Sequence, residues 1–323
     1  MHSPSSRNFS PVTIYDASTG TLLSYPHTVS LTRHGAMLVY DFGMEVGGIV
    51  SLRYSADGEG KLGLAFSETK DYIGPDSDGS NGSYHPGGDG ALWTLIGETT
   101  NGLYCMPDAK LRGGFRYLTL FTKTDIEINV EITSVTLELS FQPNWTDLQA
   151  YGGYFYCDDD LLNRIWYAGA YTLQTNVIPS RTGRVYPLLH YGWDNSAHLG
   201  TPGPCIFVDG SKRDRATWSG DLLMALPSAF VSTGDFESAK HALQLCYDLQ
   251  VCTCRELARE CLIVPETFRR TANGWTAAQL LWIRYLPHVG IDWNVRLRSI
   301  QWSHGILEHE LDKDCFRDLV YRQ

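Results

Sequence analysis

Ile126-Glu127-Ile128-Asn129-Val130-Glu131-Ile132-Thr133-Ser134-Val135-Thr136-Leu137-Glu138-Leu139-Ser140-Phe141 is the stretch that sets the fold class. Over 126–133, Ile126, Ile128, Val130 and Ile132 alternate strictly with Glu127, Asn129, Glu131 and Thr133. Successive side chains of a strand point to opposite faces, so this period predicts a half-buried strand. The phase slips at Ser134 and resumes with Val135, Leu137, Leu139 and Phe141. Working outward, similar short runs occupy 37–42, 49–54, 62–66 and 117–121. Gly47-Gly48, Asp57-Gly58 and Gly113-Gly114 read as turns between them. Residues 74–90, rich in Gly, Asp, Ser and Pro, read as a long surface loop. Many short strands so punctuated predict an antiparallel β-sandwich over 1–148.

The period changes near residue 155. Asp158-Asp159-Asp160 can cap a helix, and Leu161, Leu162, Ile165, Trp166, Leu173 and Val177 follow at roughly helical spacing. A second helix is predicted over 220–231, kinked or broken at Pro227. A third starts at Asp235 and presents Ala239, Ala242, Leu245, Cys246 and Leu249. The short break Ser232-Thr233-Gly234-Asp235 predicts an αα-hairpin. These helices make 149–250 a second region.

Residues 251–323 form a third, atypical region. Residues 1–250 hold 16 Lys+Arg against 27 Asp+Glu, and 251–323 hold 10 against 9, so the net charge moves from −11 to +1. Gly becomes scarce there, half of the eight Cys fall there, and nearly every cation is Arg. The tail reads either as a peripheral basic segment or as the product of a shifted reading frame.

Composition bounds the rest. With 323 residues, 43% hydrophobic and 19% charged, the chain can bury a sizeable core, and its length favours two domains over one. A net charge of −10 is not the footprint of a nucleic-acid binder. No apolar run approaches a membrane span, and Met1-His2-Ser3-Pro4-Ser5-Ser6-Arg7 carries no readable secretion signal. Cys252-x-Cys254 followed by Cys261 fits no standard zinc spacing. His190, Asp194 and His198 have helical ligand spacing, but the Gly and Pro around them argue for loop. No metal or cofactor is expected. Asn8, Asn81 and Asn144 head three glycosylation sequons.

The densest chemistry lies in Asp209-Gly210-Ser211-Lys212-Arg213-Asp214-Arg215-Ala216-Thr217-Trp218-Ser219-Gly220-Asp221. On a helix, Asp214, Trp218 and Asp221 would share one face. Glycoside cleavage needs one protonated carboxyl for the leaving oxygen and a second carboxylate for water or the sugar. An aromatic wall and charged partners would hold the sugar. On spacing alone the same residues also read as a solvated loop, with Arg–Asp pairs contributing about 0–1 kcal/mol each.

This thirteen-residue run resembles the signature of the α-L-rhamnosidases of glycoside hydrolase family 78. Phe155-Tyr156-Cys157-Asp158-Asp159-Asp160-Leu161-Leu162-Asn163-Arg164-Ile165-Trp166 and Tyr171-Thr172-Leu173-Gln174-Thr175-Asn176 resemble the start of that family's helical domain. The segments 39–48 and 113–117 resemble its β-domain, so the likeness covers roughly 36–250. It implies a multidomain β + α chain: an N-terminal β-sandwich followed by an incomplete (α/α)6 toroid of the six-hairpin glycosidase type. It implies hydrolysis with inversion, releasing terminal L-rhamnose from a rhamnose-containing glycoside. Asp214 takes the general acid's place, where the family usually has the longer Glu. Asp209 and Asp221 then bind the sugar, and Arg213 and Trp218 shape the pocket. The family's base is a Glu from a later hairpin; Glu308 and Glu310 lie in the atypical tail without matching context. The alternative reading is a catalytically silent carbohydrate-binding fragment without that base.

Overall fold

The computed structural model describes residues 3–248, apart from 18, 33–34, 82–86, 123–127, 185–191 and 201–202. The tail expected over 251–323 lies outside the described residues, as do Ile126, Glu127, His190 and Leu249. The elements in chain order are β1 (Asn8–Phe9), β2 (Thr13–Asp16), β3 (Thr21–Ser24), β4 (Val29–Leu31), β5 (Met37–Ala56), β6 (Gly60–Ser67), β7 (Leu92–Ile96), β8 (Thr99–Cys105), β9 (Arg112–Thr122) and β10 (Val130–Leu139). They are followed by α1 (Asp160–Thr175), β11 (Val177–Pro179), β12 (Cys205–Phe207), α2 (Ser219–Val231) and α3 (Phe236–Asp248).

Strand β10 behaves as its alternation predicts. Val130, Ile132, Val135, Leu137 and Leu139 are buried, while Glu131, Thr133, Thr136 and Glu138 face solvent. The phase slip at Ser134 is a bulge: pairing with β5 runs Ile132↔Tyr54, then Ser134↔Arg53. One extra residue returns Val135 to the buried face. Each of these aliphatic side chains contributes about 1.5–3 kcal/mol by leaving water.

The strands do not form two separate sheets. β1 to β10 belong to one antiparallel ten-stranded sheet with the path β1-β10-β5-β9-β6-β7. β5 is the reason. Its first part pairs with β2 and β9, and its last part with β8 and β10. The two runs expected as separate strands are thus one twenty-residue strand that changes partners midway, with register shifts between Asp41 and Gly48. A strand that changes neighbours through irregularities turns the corner of a folded-over sheet. Tyr40, Phe42, Val46, Val50 and Leu52 along β5 enter the core, where Phe115 packs edge-on against Phe42 and Phe66.

Two expected turns are therefore not turns. Gly47-Gly48 lies inside β5 and Gly113-Gly114 inside β9. A Cβ at Gly47 would collide with the carbonyl oxygen of Gly113, and one at Gly48 with that of Glu138. These glycines mark close backbone approach. The 74–90 segment is also not simply surface, since Ser77, Ser80, Asn81 and Asp89 are buried.

Asp159 caps α1, its Oδ1 accepting from the amides of Leu161 at 2.8 Å and Leu162 at 3.3 Å. The C-terminal half of α1 docks on the β-layer. Tyr171 Oη donates to the Glu45 carbonyl at 2.6 Å, and Gln174 Nε2 to the Leu148 carbonyl at 2.8 Å. In the N-terminal half Trp166 stacks on Phe155 and Asn163 bonds to the Cys157 backbone, but Leu161, Leu162 and Ile165, expected on a buried stripe, are 62%, 49% and 57% exposed. Val177, expected to continue that stripe, belongs to β11. α2 continues through Pro227 without a break. In α3, Ala239, Ala242, Leu245 and Cys246 are buried as expected. α2 and α3 pack on each other across the short turn, and Asp235 accepts from the Ser238 amide at 3.1 Å to start α3. A closed (α/α)6 ring is not present among the described residues. No helix among them is long and apolar enough to cross a membrane.

Candidate functional site

The acidic stretch is not helical before Ser219. Residues 208–218 form an irregular loop between β12 and α2. Asp221 therefore stands in the first turn of α2, Trp218 half-buried at its N-cap, and Asp214 off the helix. The loop brings its ends together. The Asp209 amide donates to the Ala216 carbonyl at 3.0 Å, and the Ala216 amide returns a bond to Asp209 Oδ1 at 3.1 Å. Thr217 Oγ1 donates to the Phe207 carbonyl at 2.9 Å, tying the loop's exit to β12. Between these ties the chain reverses through Asp214 and Arg215, whose φ angles are +62° and +47°. Two successive non-glycine residues in the left-handed region store strain, which the surrounding bonds must hold.

Arg215 supplies most of that holding. Its side chain is buried and donates to the Ser211 carbonyl, to the Thr182 carbonyl at 2.9 Å and to Thr182 Oγ1 at 3.0 Å. Burial, and then Arg184 nearby, pull its pKa down. Arg184 is buried too, bonded to Asn195 Oδ1 at 2.7 Å and to the carbonyl and hydroxyl of Ser80 at 2.9 and 2.8 Å. Beside it, buried Arg112 pairs with Asp89 at 2.7 Å and Asp78 at 2.6 Å and lies over the Trp193 ring. Partnered in this way, a buried guanidinium is tolerated; stripped of a partner it is strongly destabilising. Asn81, which heads one sequon, is consumed here: its buried amide donates to Asp89 and Gly192.

Of the three motif carboxylates, Asp209 and Asp214 are half-buried and Asp221 is exposed. Burial pushes the Asp209 carboxyl up to about 7, and the negative charges of Asp214 and Asp221 add to the shift against the Ala216 hydrogen bond. Asp214 retains 19% side-chain exposure. Arg213 is 63% exposed and forms a long ion pair with Asp214, Nε to Oδ1 at 3.8 Å.

Sequence reasoning missed the residues that seat the loop. Ser211 Oγ donates to Glu45 Oε1 at 3.0 Å. Lys212 Nζ reaches Glu68 at 2.9 Å and Asp78 at 3.2 Å. Glu45 is exposed along one side, and its carboxyl is pushed up, first by the protein that crowds it and then by repulsion from Glu68. The available signal was the Gly113-Gly114 pair. A Cβ at Gly113 would strike the Ser211 carbonyl oxygen, and one at Gly114 would lie 2.8 Å from both Glu45 Oε1 and Ser211 Oγ.

Among the described residues no group of three His, Cys, Asp or Glu is placed to hold a metal ion. Asp194 instead pairs with Lys110 at 2.6 Å, and His198 Nδ1 accepts from the Gly200 amide at 2.9 Å.

No family model and no curated protein matches the chain. Among solved structures it is similar to a rhamnosidase from Klebsiella oxytoca with rhamnose bound, at 17% identity and a TM-score of 0.49, over 74% of this chain and 43% of that one. It is similar to a GH78 family rhamnosidase of Bacillus sp. GL1 at 20% identity and 0.47, over 69% and 19%. It is also similar to the CBM32 of AlyQ in complex with 4,5-unsaturated mannuronic acid, at 12% and 0.28, over 40% and 96%. The chain thus spans less than half the length of either rhamnosidase.

Proposed function

We propose that this chain carries the sugar-binding and proton-donating part of an inverting glycoside hydrolase of the α-L-rhamnosidase type. One observation supports it most: the 208–218 loop clasps Asp209 to Ala216 close to Asp214 and to Asp221 of α2, and burial, with the charges of these two, pushes the Asp209 carboxyl up to about 7. In this reading Asp214 donates its proton to the leaving oxygen. Asp209, its carboxyl pushed up by burial, can donate to or accept from a sugar hydroxyl. Asp221 accepts from another, and Trp218 offers an apolar wall. The motif resemblance supplies L-rhamnose as the sugar.

The test is binding. The chain is titrated with L-rhamnose, beside D-mannose and D-glucose, by ligand-observed NMR. L-rhamnose is expected to bind, and Asp221→Asn to weaken it about tenfold, the loss of one charge-assisted hydrogen bond. Equal binding of all three sugars, or of none, would overturn the proposal.

A second reading has its own support. Leu161, Leu162 and Ile165 of α1 and Met224 and Val231 of α2 are exposed, so among the described residues nothing covers these apolar side chains. In that reading the chain holds a sugar without turning it over.

A further inference from the structure

The β-sheet contributes a residue to the acidic loop that no motif assigns. Glu45 stands on β5, midway along the strand that changes partners. Three elements meet on it: β5 itself, the motif loop through Ser211, and α1 through the Tyr171 hydroxyl on the Glu45 carbonyl. The neighbouring loop residue is held in the same way, with Lys212 between Glu68 and Asp78. Both residues lie between Asp209 and Asp214 in the chain. Outside them the loop is closed by the Asp209–Ala216 clasp and by Arg215 bonding back to Ser211. The placement of Asp209 relative to Asp214 thus depends on where Ser211 and Lys212 are held. Gly113 and Gly114 leave the room for that seat, since a Cβ at either would push into Ser211.

We propose that Glu45 is the positioning residue of the acidic loop, holding Ser211 against the sheet so that Asp209 and Asp214 face one space. What that placement serves rests on the glycosidase reading; the positioning itself does not. The groups facing the Glu45 carboxyl are Glu68, Asp78, Lys212 and Ser211. An amide at this position would accept the same Ser211 bond without a charge to desolvate. The conservative variant should therefore keep the loop in place while truncation frees it.

The experiment uses Glu45→Ala, Glu45→Gln and Ser211→Ala in the full chain. Two readouts are independent of sugar: amide hydrogen exchange over 210–216, and the midpoint of the Asp209 carboxyl in a carbon-detected NMR titration, assigned with Asp209→Asn. Glu45→Ala and Ser211→Ala should each speed exchange there about tenfold and lower the Asp209 midpoint by about one unit, as the loop swings into solvent. Glu45→Gln should stay close to wild type in both. Wild-type exchange and midpoint in Ser211→Ala, even with a lower melting temperature, would overturn the proposal and leave Glu45 a contributor to stability alone. Ser211→Ala decides the matter if Glu45→Ala does not fold. L-rhamnose binding is measured in parallel. A wild-type chain that binds no L-rhamnose sinks the glycosidase reading, while the loop readouts still decide the role of Glu45.

Discussion

Asp209 is held by the amides of Ala216 and Gly210 and repelled by two carboxylates. Its Oδ1 takes the Ala216 amide, while burial and then Asp214 and Asp221 act against its charge. A carboxyl raised from 3.8 to about 7 binds its proton more readily in the native state than in the unfolded chain. It therefore supports folding fully below about pH 4, and that support is lost as pH rises through about 7. Asp209→Asn keeps an acceptor for Ala216 and removes the charge. The variant should match wild type at pH 4 and be more stable at pH 8 by ~1–3 kcal/mol, a range trimmed for the group's partial exposure. Urea unfolding at the two pH values measures this; equal stability at pH 8 would show that Asp209 titrates normally. Asp209 thus gives up stability for its place beside Asp214.

At the scale of elements, the loop, β9 and β5 are locked by glycines in strands. Gly113→Ala would drive a methyl group into the Ser211 carbonyl and the Arg215 guanidinium, neither of which can yield without losing bonds. It should cost ~1–3 kcal/mol, as overpacking of a closed site does. Gly169 in α1 has nothing within 4 Å of its would-be Cβ. Gly169→Ala should therefore stabilise by about 0.5–1 kcal/mol, because alanine loses less freedom on entering a helix. Chemical unfolding of the pair gives opposite signs for one chemical change. A Gly113→Ala variant as stable as wild type would refute the account of close approach at β9, and a loss in Gly169→Ala would refute the open space at α1.

On the scale of the whole molecule, the described helices are unevenly covered: α3 buries Ala239, Ala242, Leu245 and Cys246, and α1 is covered at one end only. Tyr171 and Gln174 anchor one end of α1, and its other end leaves Leu161, Leu162 and Ile165 in water. An inverting glycosidase needs a base across the ring from its acid, with carboxyls roughly 6.5–9.5 Å apart. Asp209, Asp214 and Asp221 come from one stretch of chain, Glu45, Glu68 and Asp78 at the same loop are engaged with Ser211 and Lys212, and in the proposed reading the base comes from a later helix. The 323-residue chain is thus expected to bind L-rhamnose and to hydrolyse an aryl α-L-rhamnoside no faster than buffer does. Measured turnover that disappears in Asp214→Asn would overturn this and give the base to a carboxylate in 249–323.

The sequence alone determined what is local. The alternation over 128–139 set β10 and its buried face, and the interruption at Ser134 marked the bulge, because side-chain direction along a strand follows residue order. Asp159 and the spacing after it set α1, and Ala239, Ala242, Leu245 and Cys246 the buried face of α3. The acidic residues were legible as a cluster because they are adjacent in the chain. Three matters were decided only by tertiary structure. Gly47-Gly48 and Gly113-Gly114 have the composition of turns, and only the approach of another backbone makes them strand positions. Leu161, Leu162 and Ile165 have the spacing of a core stripe, but spacing cannot say whether a neighbour arrives to cover them. Glu45 and Ser211 are 166 residues apart. No local pattern links them; the fold does, by closing the sheet behind the loop and leaving a carboxylate where the loop needs an acceptor.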